Sequence, residues 1–508
     1  MNESPASNET PMQRDRAVTI FERSKPGRRA ATLPELDVPE RPLGELIPDH
    51  LRRKAPPRLP EVSEPEIVRH YNRISRRNFD LDTGLYPLGS CTMKHNPRLN
   101  ERVAALPGHA RLHPAQDPKR AQGALELMWL LQESLAELCG LPYVSLQPSA
   151  GSHGELAGLL LTRAYHDDRG EQRTKVLTPD TAHGTNPASV TMAGYEVVKV
   201  ATDERGGVDV EDLRAKVTDE IACLMLTNPN TLGLFDENIR EIAGIVHGAG
   251  GTLYYDGANL NAIMGHSRPG DMGFDIVHVN LHKSFSQPHG GGGPGSGPIA
   301  VSERIERYLP VPRVVRRRGG NGAAPHFDLD HERPKSIGRL RGFQGNFGVF
   351  VRSYAYILSL GGDGLAEASE TAVLNANYLL ARLREGRAGR YLPVAFDRRC
   401  MHEFVLSGRP AKRELKVATV DVAKRLLDFG FHPPTIYFPL LVHEAMLVEP
   451  TETETKESLD EFADALEEIF AEAESDPQTL ERAPFTTPVR RLDEAAAARR
   501  PVVRQALD

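Results

Sequence analysis

An α/β fold built on a mostly parallel sheet is predicted for this 508-residue chain, and three observations carry it. Seven short apolar runs, 143–146, 175–178, 196–200, 221–227, 252–255, 276–279 and 298–301, read as strands. Helical periodicity lies between several of them, as over 155–165 and 236–247. Polar turns follow the runs, and a sheet of this kind collects ligands at the carboxyl ends of its strands.

The remaining segments divide the chain around that sheet. Residues 1–115 read as an extended N-terminal, partner-contacting arm, rich in proline and charge to about residue 60, with a short helix over 65–77 and a turn-rich segment over 82–90. A large domain is predicted over 116–345. Its first helix, 122–139, has Leu125, Met128, Trp129, Leu131, Leu135 and Leu138 at helical spacing and is stopped by Gly140 and Pro142. After the seventh strand come a basic stretch (Arg313, Arg316, Arg317, Arg318), a Gly/Asn-rich loop over 319–324 and an acidic–basic loop up to Lys335. A smaller α+β C-terminal domain is predicted over 346–480, with a helix at 352–384, elements within 392–406, 417–427 and 435–447, and an acidic helix at 459–474. Residues 481–508 form a tail with one Ala/Arg-rich helical turn. No internal repeat is present.

Composition narrows the function. A net charge of -7 gives no reason to expect nucleic acid or an anionic membrane as a partner. No apolar run approaches the ~20 residues that cross a bilayer, and Met1–Arg16 lacks the pattern of a secretory or mitochondrial leader. The four cysteines, Cys91, Cys139, Cys223 and Cys400, lie far apart without C-x-x-C spacing, so no disulfide framework or structural metal is expected. A cytoplasmic location is the expectation.

The chemistry is carried by two strand ends. Lys283 follows the sixth run, between His282 and Ser284, and precedes Gln287-Pro288-His289 and the glycines Gly290 to Gly293. The fifth run ends in Asp256-Gly257-Ala258. A strand-end lysine forms a Schiff base when its neighbours keep some of its amine unprotonated, and a nearby carboxylate holds a proton on a pyridine nitrogen. Together they predict pyridoxal 5'-phosphate (PLP) as cofactor. The turn 147–155, with Ser149, Gly151 and Ser152, leads into a helix whose free amides suit a phosphate. Its His153-Gly154-Glu155 lacks the P-C-x-x-C of zinc deaminases, and the glycines after Lys283 lack the Gly-Lys-Ser/Thr of a P-loop. His183, between a strand and a helix, is placed to stack on the cofactor ring. Asn228 and Thr231, in a turn after the fourth run, are placed to reach its phenolate oxygen or the substrate. Arg339 and Arg341 offer a carboxylate contact or a solvated surface.

Assembled, these segments resemble the glycine decarboxylase family, the P-protein of the glycine cleavage system, in the subunit 2 form found where that protein is split into two chains. The resemblance is carried by 86–94 (Tyr-Pro-Leu-Gly-Ser-Cys-Thr-Met-Lys), 147–160, 182–189, 228–235, 254–262, 280–298 and 448–456, and spans nearly the whole chain. It implies a type I PLP-dependent enzyme fold. Lys283 would be the Schiff-base lysine, Asp256 the partner of the pyridinium with Ala258 beside it, and His183 the stacking ring; Ser149, Gly151 and Ser152 would contact the phosphate, aided by His282. Two positions depart from the commonest family wording, Ser152-His153 and His95, and neither removes a reacting group. The implied activity is decarboxylation of glycine with transfer of the aminomethyl group to the lipoyl arm of H-protein. It implies subunit 1 as a partner of similar fold without the lysine, and a functional link to the T- and L-proteins. Another PLP-dependent amino-acid decarboxylase and a non-enzymatic scaffold subunit are the alternatives.

Overall fold

A computed structural model describes residues 18–290, 293, 295–319 and 324–504. The reading of Met1–Arg16, Gly291 and Gly292 of the glycine run, and 320–323 of the Gly/Asn-rich loop lie outside the described residues. The chain forms two units, one of residues up to Asp80 with those from Pro484 onward, the other Leu81–Ala483.

In the first unit the predicted helix forms as Glu64–Ser75. Ser63 starts it: its backbone N–H donates to Glu66 Oε2 at 2.8 Å, the reciprocal half of a capping box, and Pro65 occupies the first turn, where its missing N–H costs nothing. In the tail, the helical turn Glu494–Arg499 is capped by Asp493, whose Oδ1 accepts the Ala496 N–H at 2.8 Å.

In the larger unit all seven predicted strands form one sheet: β1 (Tyr143–Ser145), β2 (Lys175–Pro179), β3 (Glu196–Val200), β4 (Ile221–Leu226), β5 (Thr252–Gly257), β6 (Ile276–Val279) and β7 (Ile299–Val301). Their order is β1-β7-β6-β5-β4-β2-β3. The five strands from β6 to β3 are mutually parallel, while β7 runs antiparallel to both β6 and β1. Alternation along the central strands explains why both faces are covered. Leu224, Leu226, Leu253, Tyr255, Val277 and Val279 enter one core with the helix Gln122–Cys139; Met225, Tyr254 and Ile276 enter another with the helix Gly151–Asp168. The first of these helices ends where Gly140 turns left-handed at φ 67°, a conformation open to glycine. A smaller antiparallel sheet, with β10 (Phe404–Ser407), β11 (Thr435–Ile436) and β12 (Ala445–Val448), takes the order β10-β12-β11.

Three expectations are corrected. The basic stretch and part of the acidic–basic loop are paired antiparallel strands, β8 (Arg313–Arg317) with β9 (His326–Asp330). Their inner residues find partners on the first long helix: Gln132 Nε2 donates to the Val314 carbonyl at 3.1 Å, and Phe327 lies 5.8 Å from the Trp129 ring. The helix predicted from 352 begins five residues earlier, as Phe347–Arg384, and is interrupted at Gly361 (φ 67°, ψ -173°). Residues 81–115, grouped above with the arm, belong to the larger unit, where Leu88 bridges Val448 of the small sheet.

Candidate active site

Two neighbouring parallel strands set the site. In register, Asp256 on β5 stands opposite His278 on β6, and Gly257 opposite Val279. Beyond β6 the chain closes one helical turn, Leu281–Ser284, in which the Lys283 N–H donates to the Asn280 carbonyl at 3.0 Å. That turn brings Lys283 to the carboxyl edge of the sheet, where its Nζ donates to the carbonyl of Ser90 at 2.6 Å.

Asp256 is buried, and each carboxylate oxygen has a donor. Oδ2 accepts from Asn186 Nδ2 at 2.9 Å and Oδ1 from the Ala258 N–H at 3.0 Å, with His278 Nε2 3.4 Å from Oδ1. Burial works against the charge, but His278, the Asn186 amide, the Ala258 N–H and Lys283 outweigh it and leave the carboxyl below the usual range. His278 is fixed in turn by the Tyr254 hydroxyl, 2.7 Å from Nδ1, and the Asn280 amide, 3.0 Å from Nε2.

The turn after β1 leads into the helix Gly151–Asp168, whose N-cap residue Ala150 is extended and makes no side-chain cap. The first amides of such a helix have no backbone acceptor. Gly151 is required by a close approach: a Cβ there would lie 2.3 Å from Asn280 Oδ1. Ser149 is held by its N–H donating to His153 Nδ1 at 3.2 Å, its hydroxyl standing 3.1 Å from the same nitrogen; Ser152 is exposed. Behind them Asn346 Nδ2 donates to the Ser149 carbonyl at 3.0 Å, and Arg341 Nη1 donates to Asn346 Oδ1 at 2.6 Å. Burial and the nearby Arg341 hold the His153 imidazole below its ordinary range. His282 is pushed down to about 3, by burial first and then by Lys283, so its ring is neutral and accepts the Ser296 N–H at 3.4 Å.

The other predicted residues are placed as follows. His183 is exposed, its Nδ1 2.9 Å from the Thr185 hydroxyl and its ring edge-on to Phe438 at 5.5 Å. The polar atoms of Asn228 and Thr231 are committed to the protein: Asn228 Oδ1 accepts the Asp236 N–H at 2.8 Å, and the Thr231 hydroxyl donates to the Thr181 carbonyl at 2.5 Å. Glu155 ties two helices together by accepting from the Thr185 and Ser189 hydroxyls, each at 2.8 Å.

Several residues at the site were not singled out in the sequence. His278 sits inside a strand run, where alternation points it to the face of Tyr254 and Asp256; Asn186 sits inside a segment noted for His183, on the helix Thr185–Met192. Ser90, Thr92, Glu403 and Glu449 come from distant segments and had no local signal, although two of those segments, 86–94 and 448–456, were part of the resemblance.

The comparisons bear on this arrangement directly. Residues 39–322 match the family model described as the glycine cleavage system P-protein, and 368–484 match that described as glycine dehydrogenase, C-terminal domain. The probable glycine dehydrogenase (decarboxylating) subunit 2 of Caldanaerobacter subterraneus subsp. tengcongensis is 56% identical over 486 residues, 96% of this chain and 98% of the relative. This chain belongs to the glycine cleavage system P-protein family. The P-protein relative of the same description from Exiguobacterium sibiricum is 58% identical over 486 residues, 96% of each chain. A solved glycine decarboxylase (P-protein) in inhibitor-bound form superposes with a TM-score of 0.71 at 23% identity, covering 84% of this chain and 94% of that one. A NifS-like protein superposes with a TM-score of 0.58 at 16% identity, covering 76% and 99%. The fold seen here is therefore that of the solved P-protein. Among the described residues no helix is long and apolar enough to cross a membrane.

Proposed function

We propose that this chain is the lysine-bearing subunit 2 of glycine decarboxylase. It removes the carboxylate of glycine as CO2 and passes the remaining aminomethyl group to the lipoyl arm of H-protein. Subunit 1 is its partner, the T- and L-proteins act on the product's later fate, and the location is the cytoplasm. The observation that carries the reading is the pair Asp256 and Lys283, an acid and an amine held at the ends of adjacent parallel strands.

The donor set fits PLP. An amine, a buried carboxylate kept ionised and a helix N-terminus without a side-chain cap match its aldehyde, its pyridine nitrogen and its phosphate. Two buried atoms, Asn186 Oδ1 and Ser284 Oγ, lack partners among the described residues, as expected of a site that receives a polar ligand. When bound, PLP supplies an electron sink for the pair left on the glycine α-carbon as CO2 departs.

The protein's own residues do the rest. Lys283 would hold the aldehyde carbon through Nζ and would give it up to the amine of glycine, leaving as a free amine. Asp256 would hold a proton at the ring nitrogen, and the donors from Asn186 and Ala258, with His278 Nε2 3.4 Å from Oδ1, keep its carboxylate charged for that purpose. Ser149, Gly151 and Ser152 present the turn and helix amides to the phosphate, with Arg341 adding positive charge through Asn346. His282, being neutral, contributes shape and hydrogen bonding there rather than charge. His183 would supply the ring that stacks on the cofactor. Asn228 and Thr231 act by fixing their loop, which accepts the Tyr255 hydroxyl on the Asn228 carbonyl at 2.5 Å.

The test is co-expression with subunit 1, a visible spectrum, and borohydride reduction followed by peptide mapping. The expected result is a reduced adduct on Lys283 and glycine–bicarbonate exchange that rises with lipoylated H-protein. A Lys283→Ala chain that kept both the visible band and the exchange would refute the assignment. Exchange indifferent to H-protein would instead favour a decarboxylase acting without lipoate.

A further inference from the structure

The small sheet sends two glutamates toward Lys283, and nothing in the steps above uses them. Glu403, next to β10, and Glu449, next to β12, are both fully buried. They hold the segment Ser90–Thr92 from two sides. Glu403 Oε2 accepts the Ser90 N–H at 2.8 Å; Glu449 accepts the Thr92 N–H at 2.9 Å and the Thr92 hydroxyl at 2.7 Å. Ser90 and Thr92 have positive φ, 62° and 50°, a conformation that non-glycine residues keep only when their surroundings enforce it. The Ser90 carbonyl is the acceptor of the Lys283 amine.

Charge around the pair does not balance if both acids are ionised. Lys283 is the cation that faces them, since Lys94 is engaged by Glu452 at 2.7 Å. Cys91 and Glu452 add no positive charge. His289 is held below its ordinary range by burial. His402, whose Nε2 is 3.8 Å from Glu403 Oε1 and 3.8 Å from Glu449 Oε1, is pushed down to about 3 by burial and by Lys283, so it is neutral. Two buried carboxylates thus meet one ammonium. Glu449 has the better donors for a charge, with Thr92 giving it two bonds. Glu403 has one strong donor and a long 3.4 Å contact from Asn259.

We propose that Glu403 carries a proton that it shares with Glu449, and that the pair positions Lys283 by holding the Ser90–Thr92 loop with a single net negative charge. Burial raises both carboxyls; Glu449 raises Glu403 further, and Glu452 does the same to Glu449. The role assigned to Lys283 rests on the reading given under Proposed function; the shared proton does not.

Infrared spectra of the full chain without cofactor separate the two. The expected result is a protonated-carboxyl C=O band that persists at pH 8, is absent from Glu403→Gln, and titrates at lower pH in Glu449→Gln. No band at pH 8, or a band unmoved by Glu449→Gln, overturns the proposal; the second variant keeps the test decisive should Glu403→Gln fail to fold. In the cofactor-loaded chain each single variant retains one charge, so the pH midpoint of the Lys283-dependent visible band stays near that of the wild type, and the double variant lowers it by about one unit. Equal, additive shifts from the two single variants would show both acids ionised and overturn the sharing. A stoichiometric divalent metal bound by the wild type and lost in Glu449→Gln would also overturn it, because the ligand atoms of His402, Glu403 and Glu449 lie within 4.8 Å of one another.

Discussion

Lys283 Nζ donates to the carbonyl of Ser90 at 2.6 Å, joining residues 193 apart in the chain. The amine is therefore set by two elements at once, the turn after β6 that carries it and the Ser90–Thr92 loop that receives it. Thr92→Ala tests the second. It removes the hydroxyl that donates to Glu449 and leaves a buried carboxylate oxygen short of a partner. The expected loss is about 1–3 kcal/mol in urea unfolding, with slower borohydride trapping at Lys283 under conditions where the variant is folded.

Asp256→Asn keeps the side-chain volume and removes the charge proposed to hold a proton at the ring nitrogen. A charge-assisted hydrogen bond of this kind is worth roughly 1.5–3 kcal/mol, so glycine–bicarbonate exchange should fall by about 10- to 100-fold or more. Cofactor trapping on Lys283 should persist. Unchanged exchange would remove Asp256 from the reaction.

Gly151→Ala places a methyl group 2.3 Å from Asn280 Oδ1, in a site where the turn after β1 and the turn after β6 nearly touch. Asn280 cannot retreat freely, because its amide also contacts His278 at 3.0 Å. Overpacking of this order costs about 1–3 kcal/mol. Equilibrium dialysis with PLP should show weaker binding in the variant, and thermal unfolding should show a lower midpoint.

Lys94, at the end of the same block as Ser90, is buried with its ammonium on Glu452 at 2.7 Å and on the Ser284 carbonyl at 2.9 Å. Burial opposes its charge, but the Glu452 carboxylate prevails and holds the proton on more tightly than in water. Lys94→Met leaves the largely buried Glu452 without its cation. Breaking one side of a buried pair costs about 3–5 kcal/mol, and urea unfolding of Lys94→Met beside a Lys94→Met/Glu452→Gln double variant should show the second substitution recovering part of that loss.

What was legible in the sequence follows from how local each feature is. β4, β5 and β6 were readable because strands buried on both faces are nearly continuous apolar runs, and the acid and amine at their ends stand out against that background. His278 was not, because a single imidazole inside such a run has no spacing partner; its role comes from Tyr254, Asn280 and Asp256 around it. The segment 182–189 was noted for His183, yet the residue of that segment in contact with Asp256 is Asn186, which the helix Thr185–Met192 turns inward while His183 is left exposed. The strand pair β8–β9 was missed because its arginines mask two short alternating runs. Glu403 and Glu449 lie 313 and 357 residues from the backbone groups they bind, beyond the reach of any spacing rule.

The pH dependence of stability isolates Glu403. Its carboxyl is raised, by burial first and then by Glu449, from the roughly 4.3 of an unfolded glutamate. Between those two values the folded chain binds a proton that the unfolded chain has released, so stability falls as pH rises through the window and is fully present only below the unfolded value. Glu403→Gln has no such proton to lose. Urea unfolding of both chains across pH 4.5 to 8 should show the variant gaining on the wild type as pH rises, by at most about 1.4 kcal/mol per unit for one proton. A wild type that gained on the variant with rising pH would mean that Glu403 is ionised in the folded chain and stabilised there by Lys283, the reverse of the arrangement that the crowding of Glu403 and Glu449 requires.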